Sequence, residues 1–248
     1  MADDSAGLLR ILAPLLSDPI KTVRMEAAYR LSGFSKESFN ETQYRLFCRA
    51  LEEYKSSLEY LADFPSGRYN LGNYYAKTRD LSKAEENYRE AIVLDNLFYP
   101  AKINLAMLYY QDGRTEPAEK LFHDLINNHP EVSEGYYYLA LLYGEQKRYP
   151  EAIALLETAS TKHVTNPRIW YNLALLYQMT GQNDKSEAAF LRGLRQDPCN
   201  FDLLYAIYSF YMTQNNRGKA TPFILKLKSC FPGEKSVEDL YLDFVGRR

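Results

Sequence analysis

Few side chains in this sequence suit metal, redox or covalent chemistry: its 248 residues include three cysteines, three histidines and one tryptophan. Cys48, Cys199 and Cys230 are dispersed and none stands in a CxxC or CxxCH spacing. Neither a disulfide framework nor a zinc site is therefore expected, and the thiols read as small buried hydrophobes. His123, His129 and His163 each lack a second ligand three or four residues away, which argues against metal binding, and no cofactor is expected. No apolar run reaches the roughly 18 residues that a membrane-spanning helix needs. The start, Met1-Ala2-Asp3-Asp4-Ser5, has no basic region leading into an apolar stretch, so the chain as given carries no secretory leader and is expected in the cytoplasm. Charge of one sign is also missing. Thirty basic against 32 acidic side chains leave a net charge of −2, which removes the electrostatic case for a nucleic-acid partner. Catalytic signatures are absent too, with no phosphate-cradling glycine loop, no Gly-x-Ser-x-Gly and no His-Glu-x-x-His. Glu52-Glu53 and Glu85-Glu86 read as solvated helix faces, and Glu116, Glu119 and Lys120 as ordinary exposed helix charges, so no enzyme is expected.

What is present is tyrosine, 22 residues of it, in a chain that is 46% hydrophobic and 25% charged. That balance belongs to a globular chain of one large or two small domains. The tyrosines fall into a pattern once the chain is searched for self-similarity. Asn70-Leu71-Gly72-Asn73-Tyr74-Tyr75 is followed at intervals of 34 residues by the blocks beginning Asn104-Leu105-Ala106, Tyr138-Leu139-Ala140 and Asn172-Leu173-Ala174. Ala206-Ile207-Tyr208-Ser209-Phe210-Tyr211 continues the phase. Twelve residues after each small residue of the first four blocks stands another, Ala84, Ala118, Ala152 and Ser186, and four further on a large one, Tyr88, Phe122, Leu156 and Phe190. Tyr75, Tyr109, Tyr143, Tyr177 and Tyr211 share one place in the period. Such spacing suits two packed helices per period, with small residues letting the backbones approach and the large ones filling the remaining space.

These residues resemble the tetratricopeptide repeat (TPR), in five units over 65–98, 99–132, 133–166, 167–200 and 201–234. The resemblance implies an all-α fold, a right-handed superhelical solenoid of helix-turn-helix repeats whose inner wall is made by the first helices. Gly113, Gly181 and Gly218 fall in or just beyond turns, and Pro130, Pro198 and Pro232 end second helices. Val164 stands where a helix-ending proline is usual, with Pro167 taking over shortly afterwards. Tyr208 occupies the small-residue place of the last unit, which should hold its helices apart or shift their register. Residues 235–246 read as an amphipathic capping helix started by Ser236. Upstream, 6–16 reads as an apolar helix, Asp18-Pro19 starts a second one that runs to Gly33, and 40–62 forms one long helix that docks on the first unit. The Asp18-Pro19, Val23-Arg24 and Ala27-Ala28 arrangement resembles a HEAT-type hairpin, so 5–62 is expected to be a HEAT-like hairpin plus docking helix.

Counting within each unit, the second, fifth, sixth, ninth, twelfth and thirteenth places should face the inner groove. The fifth supplies Tyr69, Ile103, Tyr137, Tyr171 and Tyr205; the sixth Asn70, Asn104, Tyr138, Asn172 and Ala206; the ninth Asn73, Met107, Leu141, Leu175 and Ser209. Tyr110 lies deeper. Aromatic faces, pliable methionine and side-chain amides suit an extended peptide or a partner helix. The sixth-place asparagines resemble the asparagine ladder of O-GlcNAc transferases, which implies amide contacts to a ligand backbone. The alternative is that Asn at this place bridges adjacent repeats and Tyr at the fifth packs against the neighbouring helix. Asn73 and Asn104 match the amide positions of the co-chaperone carboxylate clamp, but Tyr69, Glu134 and Tyr138 occupy its basic positions, which disfavours a C-terminal carboxylate.

The order of modules is also similar to the C-terminal region of bacterial multihaem c-type cytochromes, on Leu16, Asp18, Pro19, Val23, Arg24, Ala27 and Ala28 and then Asn70, Leu71 and Gly72. That resemblance implies an accessory or docking domain of an exported electron-transfer protein, periplasmic if the chain is a fragment of such a protein. The haem-attachment motifs are absent from this chain. The principal expectation is a non-catalytic protein-protein interaction scaffold that takes a protein or peptide in its groove, with self-association through the repeat ends as a further possibility.

Overall fold

The computed structural model describes residues 2–162 and 166–246, all helix, turn or loop, with no strand among them. His163 and Val164 lie outside the described residues. The helices are α1 Ala2–Leu12, α2 Lys21–Leu31, α3 Glu41–Glu59, α4 Pro65–Lys77, α5 Leu81–Leu94, α6 Tyr99–Gln111, α7 Thr115–Asn128, α8 Ser133–Glu145, α9 Tyr149–Thr161, α10 Pro167–Met179, α11 Asn183–Gln196, α12 Phe201–Thr213, α13 Arg217–Cys230 and α14 Lys235–Gly246. α4 with α5, α8 with α9, α10 with α11 and α12 with α13 pack as hairpins, and first helices begin at Pro65, Tyr99, Ser133, Pro167 and Phe201, spaced by the sequence period. The chain divides into two compact units at Leu121 and Phe122.

In the first unit the region before the repeats has its own core of Ala13, Leu16, Ala27, Ala28, Leu31, Phe39, Phe47 and Ala50. The single helix expected over 6–16 is broken. It ends at Leu12 and continues as a 3-10 turn over Ala13–Ser17, because Pro14 has no N–H for the helical ladder. Asp18 accepts the Ile20 N–H at 2.8 Å, and α2 then starts at Lys21. Asn40 and Gln43 exchange side-chain and backbone bonds at 2.8 and 3.1 Å, a capping box that sets the start of α3. Along α3, Glu53 pairs with Arg24 of α2 at 2.7 Å, and Tyr54 stacks on Tyr29 with centroids 4.8 Å apart. In the first repeat hairpin the small residues do what the spacing implies. A Cβ on Gly72 would come 2.5 Å from the Tyr88 ring, so glycine there is what lets α5 lay Tyr88 onto α4.

In the second unit Ala140, Ala152, Ala174 and Ser186 are buried in the paired helices, with Leu156 and Phe190 fully enclosed beside them. Each fully buried Leu or Phe of this kind contributes about 1.5–3 kcal/mol relative to exposure. Tyr208, large where the other units are small, is buried and meets Phe244 of α14 edge-on at 5.9 Å. α14 begins at Lys235, one residue ahead of the expected cap, and the Ser236 hydroxyl bonds the Glu234 carboxylate instead.

Every repeat turns between its helices through a residue in the left-handed region, namely Arg79, Gly113, Lys147, Gly181 and Asn215, with φ between 54° and 74°. These positions also recur every 34 residues. Gly113 and Gly181 adopt that conformation without the Cβ clash that Arg79 and Lys147 tolerate.

The cysteines depart from expectation. Cys199 and Cys230 form a disulfide with Cα atoms 5.7 Å apart, and Cys48 is an exposed free thiol. An antiparallel hairpin brings the residue ahead of its first helix beside the last residue of its second. Cys199 precedes α12 and Cys230 ends α13, so the hairpin juxtaposes two residues that are far apart in sequence.

Candidate functional site

The expected groove residues fall in both units. In the first, α4 and α6 carry Tyr69, Asn70, Asn73, Asn104, Met107 and Tyr110. Asn70 is exposed and the others are partly buried. Their polar atoms serve one another. Asn73 Oδ1 accepts both the Tyr88 hydroxyl at 2.8 Å and Asn104 Nδ2 at 2.7 Å, and Asn104 Nδ2 also reaches the Tyr69 hydroxyl at 3.4 Å. The Tyr69 ring lies against Phe98 at 5.6 Å and Tyr88 at 6.1 Å. Burial pushes the Tyr88 hydroxyl up to about 12, against the lowering effect of the Asn104 amide.

In the second unit α8, α10 and α12 carry Tyr137, Tyr138, Leu141, Tyr171, Asn172, Leu175 and Tyr205. Tyr137 is buried, its ring edge-on to Tyr138 at 5.2 Å, while Tyr138 stacks on Phe122 at 5.9 Å. Tyr171, Leu141 and Leu175 are half-buried, and Tyr205 is exposed and stacks on Phe201 at 6.3 Å. Both amide hydrogens of Asn172 are used, one toward the Tyr137 hydroxyl at 3.2 Å and one toward the Arg168 carbonyl at 3.0 Å. The same link therefore occurs in both units: a sixth-place asparagine donates to the fifth-place tyrosine of the preceding repeat. That is the bridging use of the residue, and it leaves Asn172 Oδ1 without a described donor.

Tyr137, Leu141, Tyr171 and Asn172 line one recess of about 600 Å3 together with Asn166, Pro167, Arg168, Asp197, Asn200 and Asp202. Leu175, Tyr138 and Tyr205 are not among its lining residues. Sequence reasoning missed the polar half of this wall. Arg168 and Asp202 occupy the second place of their units, which the repeat count assigns to the groove, so their signal was present. Asp197 and Asn200 come from the α11–α12 turn, which no first-helix count reaches. Asn166 accepts from the Arg168 N–H at 3.1 Å and starts α10, and Asn200 accepts from the Leu203 N–H at 3.1 Å and starts α12. Asn200 Nδ2 in turn donates to Asp197 Oδ2 at 3.0 Å, which fixes that carboxylate at the recess edge. Burial raises the Tyr137 hydroxyl above its ordinary value, partly offset by the nearby Arg168 charge.

A different tyrosine set ties repeat to repeat. The Tyr109 hydroxyl donates to Glu85 at 2.9 Å, Tyr177 donates to Glu157 at 2.5 Å, and Tyr143 shares a 3.0 Å bond with His123. In each case the partner is on the second helix of the preceding repeat. Arg114 and Arg148 cover the Tyr109 and Tyr143 rings at 4.2 and 3.6 Å.

Among the described residues no helix is long and apolar enough to cross a membrane. The chain is 35% identical over 91 residues to the TPR repeat-containing protein MJ1428 of Methanocaldococcus jannaschii, a match that covers 34% of this chain and 16% of that protein. Among solved structures it is similar to YrrB, described as a TPR protein with an unusual peptide-binding site, with 18% identity, a TM-score of 0.56, and coverage of 75% of this chain and 96% of that one. MamA aligns with 19% identity and a TM-score of 0.58 over 67% of this chain and 91% of its own. TTC0263, a thermophilic TPR protein of Thermus thermophilus, aligns with 18% identity and a TM-score of 0.55 over 73% of this chain and 98% of its own. These likenesses show the fold, an all-α solenoid of helix-turn-helix repeats. A family model, that of the Cilia and flagella-associated protein 70 middle TPR-like domain, matches residues 47–190, more than half of the sequence, and the chain belongs to that family.

Proposed function

We propose that this chain is a non-catalytic interaction scaffold and that its second unit holds an extended peptide or helix of a partner protein in the recess between α8, α10 and α12. The observation that carries the reading is that recess: about 600 Å3 walled by Tyr137, Leu141, Tyr171 and Asn172, with a carbonyl acceptor left open on Asn172. The rings and Leu141 offer apolar contact, and the amide oxygen offers a place for a peptide N–H. In the first unit Asn73 and Asn104 are likewise engaged with neighbouring side chains, Tyr88, Tyr69 and each other. The peptide-binding site named for YrrB supports a peptide as occupant on this fold. The expected affinity is micromolar, about −8 kcal/mol, typical of a transient module. The accessory-domain alternative rests on module order alone, from Leu16 to Ala28 and then Asn70, Leu71 and Gly72.

The test is selection of binders from a random octapeptide library on the purified chain, followed by anisotropy titration of the best peptide against wild type and Tyr171→Ala. Tyr171 is half-buried and packs on no described partner ring, so its truncation should leave folding intact, as circular dichroism checks. A loss of about tenfold in affinity is expected from removing the aromatic contact. An enriched peptide that binds the variant equally well would place the binding surface elsewhere.

A further inference from the structure

In the second unit the first helices carry few bases. Its first helices, α8, α10 and α12, carry three carboxylates, Glu134, Glu145 and Asp202, against one base, Arg168. Seven Lys and Arg residues lie on α11 and α13 beside Asp184 and Glu187, and α9 carries Glu151 and Glu157 with no base. Several of those bases are committed there: Lys185 lies over Tyr177, Arg192 over Trp170, and Lys219 pairs with Glu187 at 3.1 Å. Two of the unit's carboxylates meet at the recess. Asp197 and Asp202 both line it. Asp197 has one oxygen held by Asn200, and no described hydrogen bond or ion pair engages Asp202.

The hydrogen-bond inventory points the same way. Asn172 has spent both donors, and the Oδ1 atoms of Asn166 and Asn200 cap helices. The wall leaves open the Asn172 carbonyl and two carboxylates as acceptors and Asn166 Nδ2 and the Tyr137 and Tyr171 hydroxyls as neutral donors, so its charged groups are two carboxylates against the single Arg168 guanidinium. Asp197 also closes the C-terminal end of α11, where the helix dipole adds negative potential, while the N-terminus of α12 partly offsets the charge of Asp202.

We infer that the occupant of this recess is a peptide segment bearing one lysine or arginine, seated with its cation at Asp197 and Asp202 and its backbone N–H on Asn172 Oδ1. The inference rests on the groove reading above and adds the chemistry of the ligand. Arg168 repels a second cation on the α10 side, so an isolated basic residue in an otherwise apolar or acidic segment fits and a polybasic tract does not.

The octapeptides enriched by the full chain supply the test. Wild type should enrich sequences with a single Lys or Arg at a fixed position. Against the best such peptide, Asp197→Asn/Asp202→Asn should bind roughly tenfold or more weakly, since it removes charge-assisted bonds while keeping side-chain size and the bond from Asn200. Replacing the basic residue of the peptide by norleucine should abolish the difference between the two proteins, and raising salt should narrow it. Enrichment of acidic or uncharged peptides, or equal binding by the double variant, overturns the inference even where Tyr171→Ala still weakens binding. If no octapeptide is enriched, or none responds to Tyr171→Ala, the groove reading itself falls and this inference with it.

Discussion

Reducing the Cys199–Cys230 disulfide should loosen the last repeat hairpin selectively. The crosslink spans a sequence separation of 31 and encloses the whole α12–α13 hairpin, from just ahead of its first helix to the end of its second. Loop-closure entropy for a crosslink of that span gives about 3.7 kcal/mol of stabilisation through the unfolded state. Single side-chain ties of this hairpin to its predecessor are individually smaller. The exposed Lys219–Glu187 pair contributes up to about 1 kcal/mol, and the Phe190–Phe210 contact at 6.1 Å about 0.5–1.5 kcal/mol beyond burial. Loss of the crosslink therefore exceeds either, and in a stack where each unit rests on its neighbours it should be felt first at the end that carries it. Guanidinium unfolding and amide hydrogen exchange should be compared for oxidised protein, protein held in a dithiol reductant, and Cys199→Ser/Cys230→Ser. Reduction and substitution should lower the midpoint together and speed exchange across α12 and α13 while α8 to α11 keep their protection. Thiol titration of denatured, unreduced protein should find only Cys48 among the three cysteines. Three titratable thiols, or identical exchange in oxidised and reduced samples, would refute the reasoning.

Two further outcomes follow from the repeats. Lys147 holds φ at 61° in the α8–α9 turn, a conformation costing a non-glycine residue about 1–2 kcal/mol, so Lys147→Gly should raise the thermal midpoint by a net gain of up to about 1 kcal/mol after glycine's added unfolded-state entropy. A lowered midpoint in thermal denaturation would show that the lysine side chain contributes more than its strain costs. Burial, with smaller contributions from neighbouring Tyr29 and Glu26, pushes Tyr54 up to about 12, as burial does for Tyr88, and Tyr177 and Tyr211 are raised further by burial and their glutamate partners. A raised folded value means the native state holds the proton more tightly. The resulting stabilisation is complete below the unfolded value of about 10 and is lost as pH rises through about 12. Tyrosinate absorbance should lag in native protein and rise together with loss of helical circular dichroism, whereas early, non-cooperative ionisation of these residues would contradict their burial.

The repeat helices were legible because one constraint recurs: a small residue must sit where two backbones meet, and Gly72, Ala106, Ala140 and Ala174 mark it at constant spacing. The left-handed turns were legible only at Gly113 and Gly181. At Arg79 and Lys147 the same conformation is imposed by the flanking helices, and a residue type that tolerates strain leaves no mark in the sequence. The disulfide escaped because the cysteines were judged by sequence spacing, although the repeat frame already places the start of α12 beside the end of α13. At the recess, the first-helix count found Tyr137, Leu141, Tyr171 and Asn172 but could not reach Asp197, which lies in the α11–α12 turn. The fifth- and sixth-place residues also do two jobs at once. Asn172 bridges to Tyr137 and still lines the recess, so the two readings of the asparagine column were never exclusive.

The hydroxyls of Tyr109, Tyr143 and Tyr177 give the array a direction. Each repeat brings the ring and its predecessor supplies the hydroxyl's partner, so the dependency runs one way along the chain. A gene duplication or an engineered insertion that copies a 34-residue block delivers each tyrosine to the same kind of neighbour only when Glu or His stands at the matching point of the block before it. Cutting the chain ahead of Pro167 would strand Tyr177 without Glu157, whereas cutting after the same repeat would leave that bond whole. Removal of repeats from either side therefore leaves half of one such bond behind, a tyrosine without its partner when the N-terminal side goes and a carboxylate such as Glu187 without Tyr211 when the C-terminal side goes.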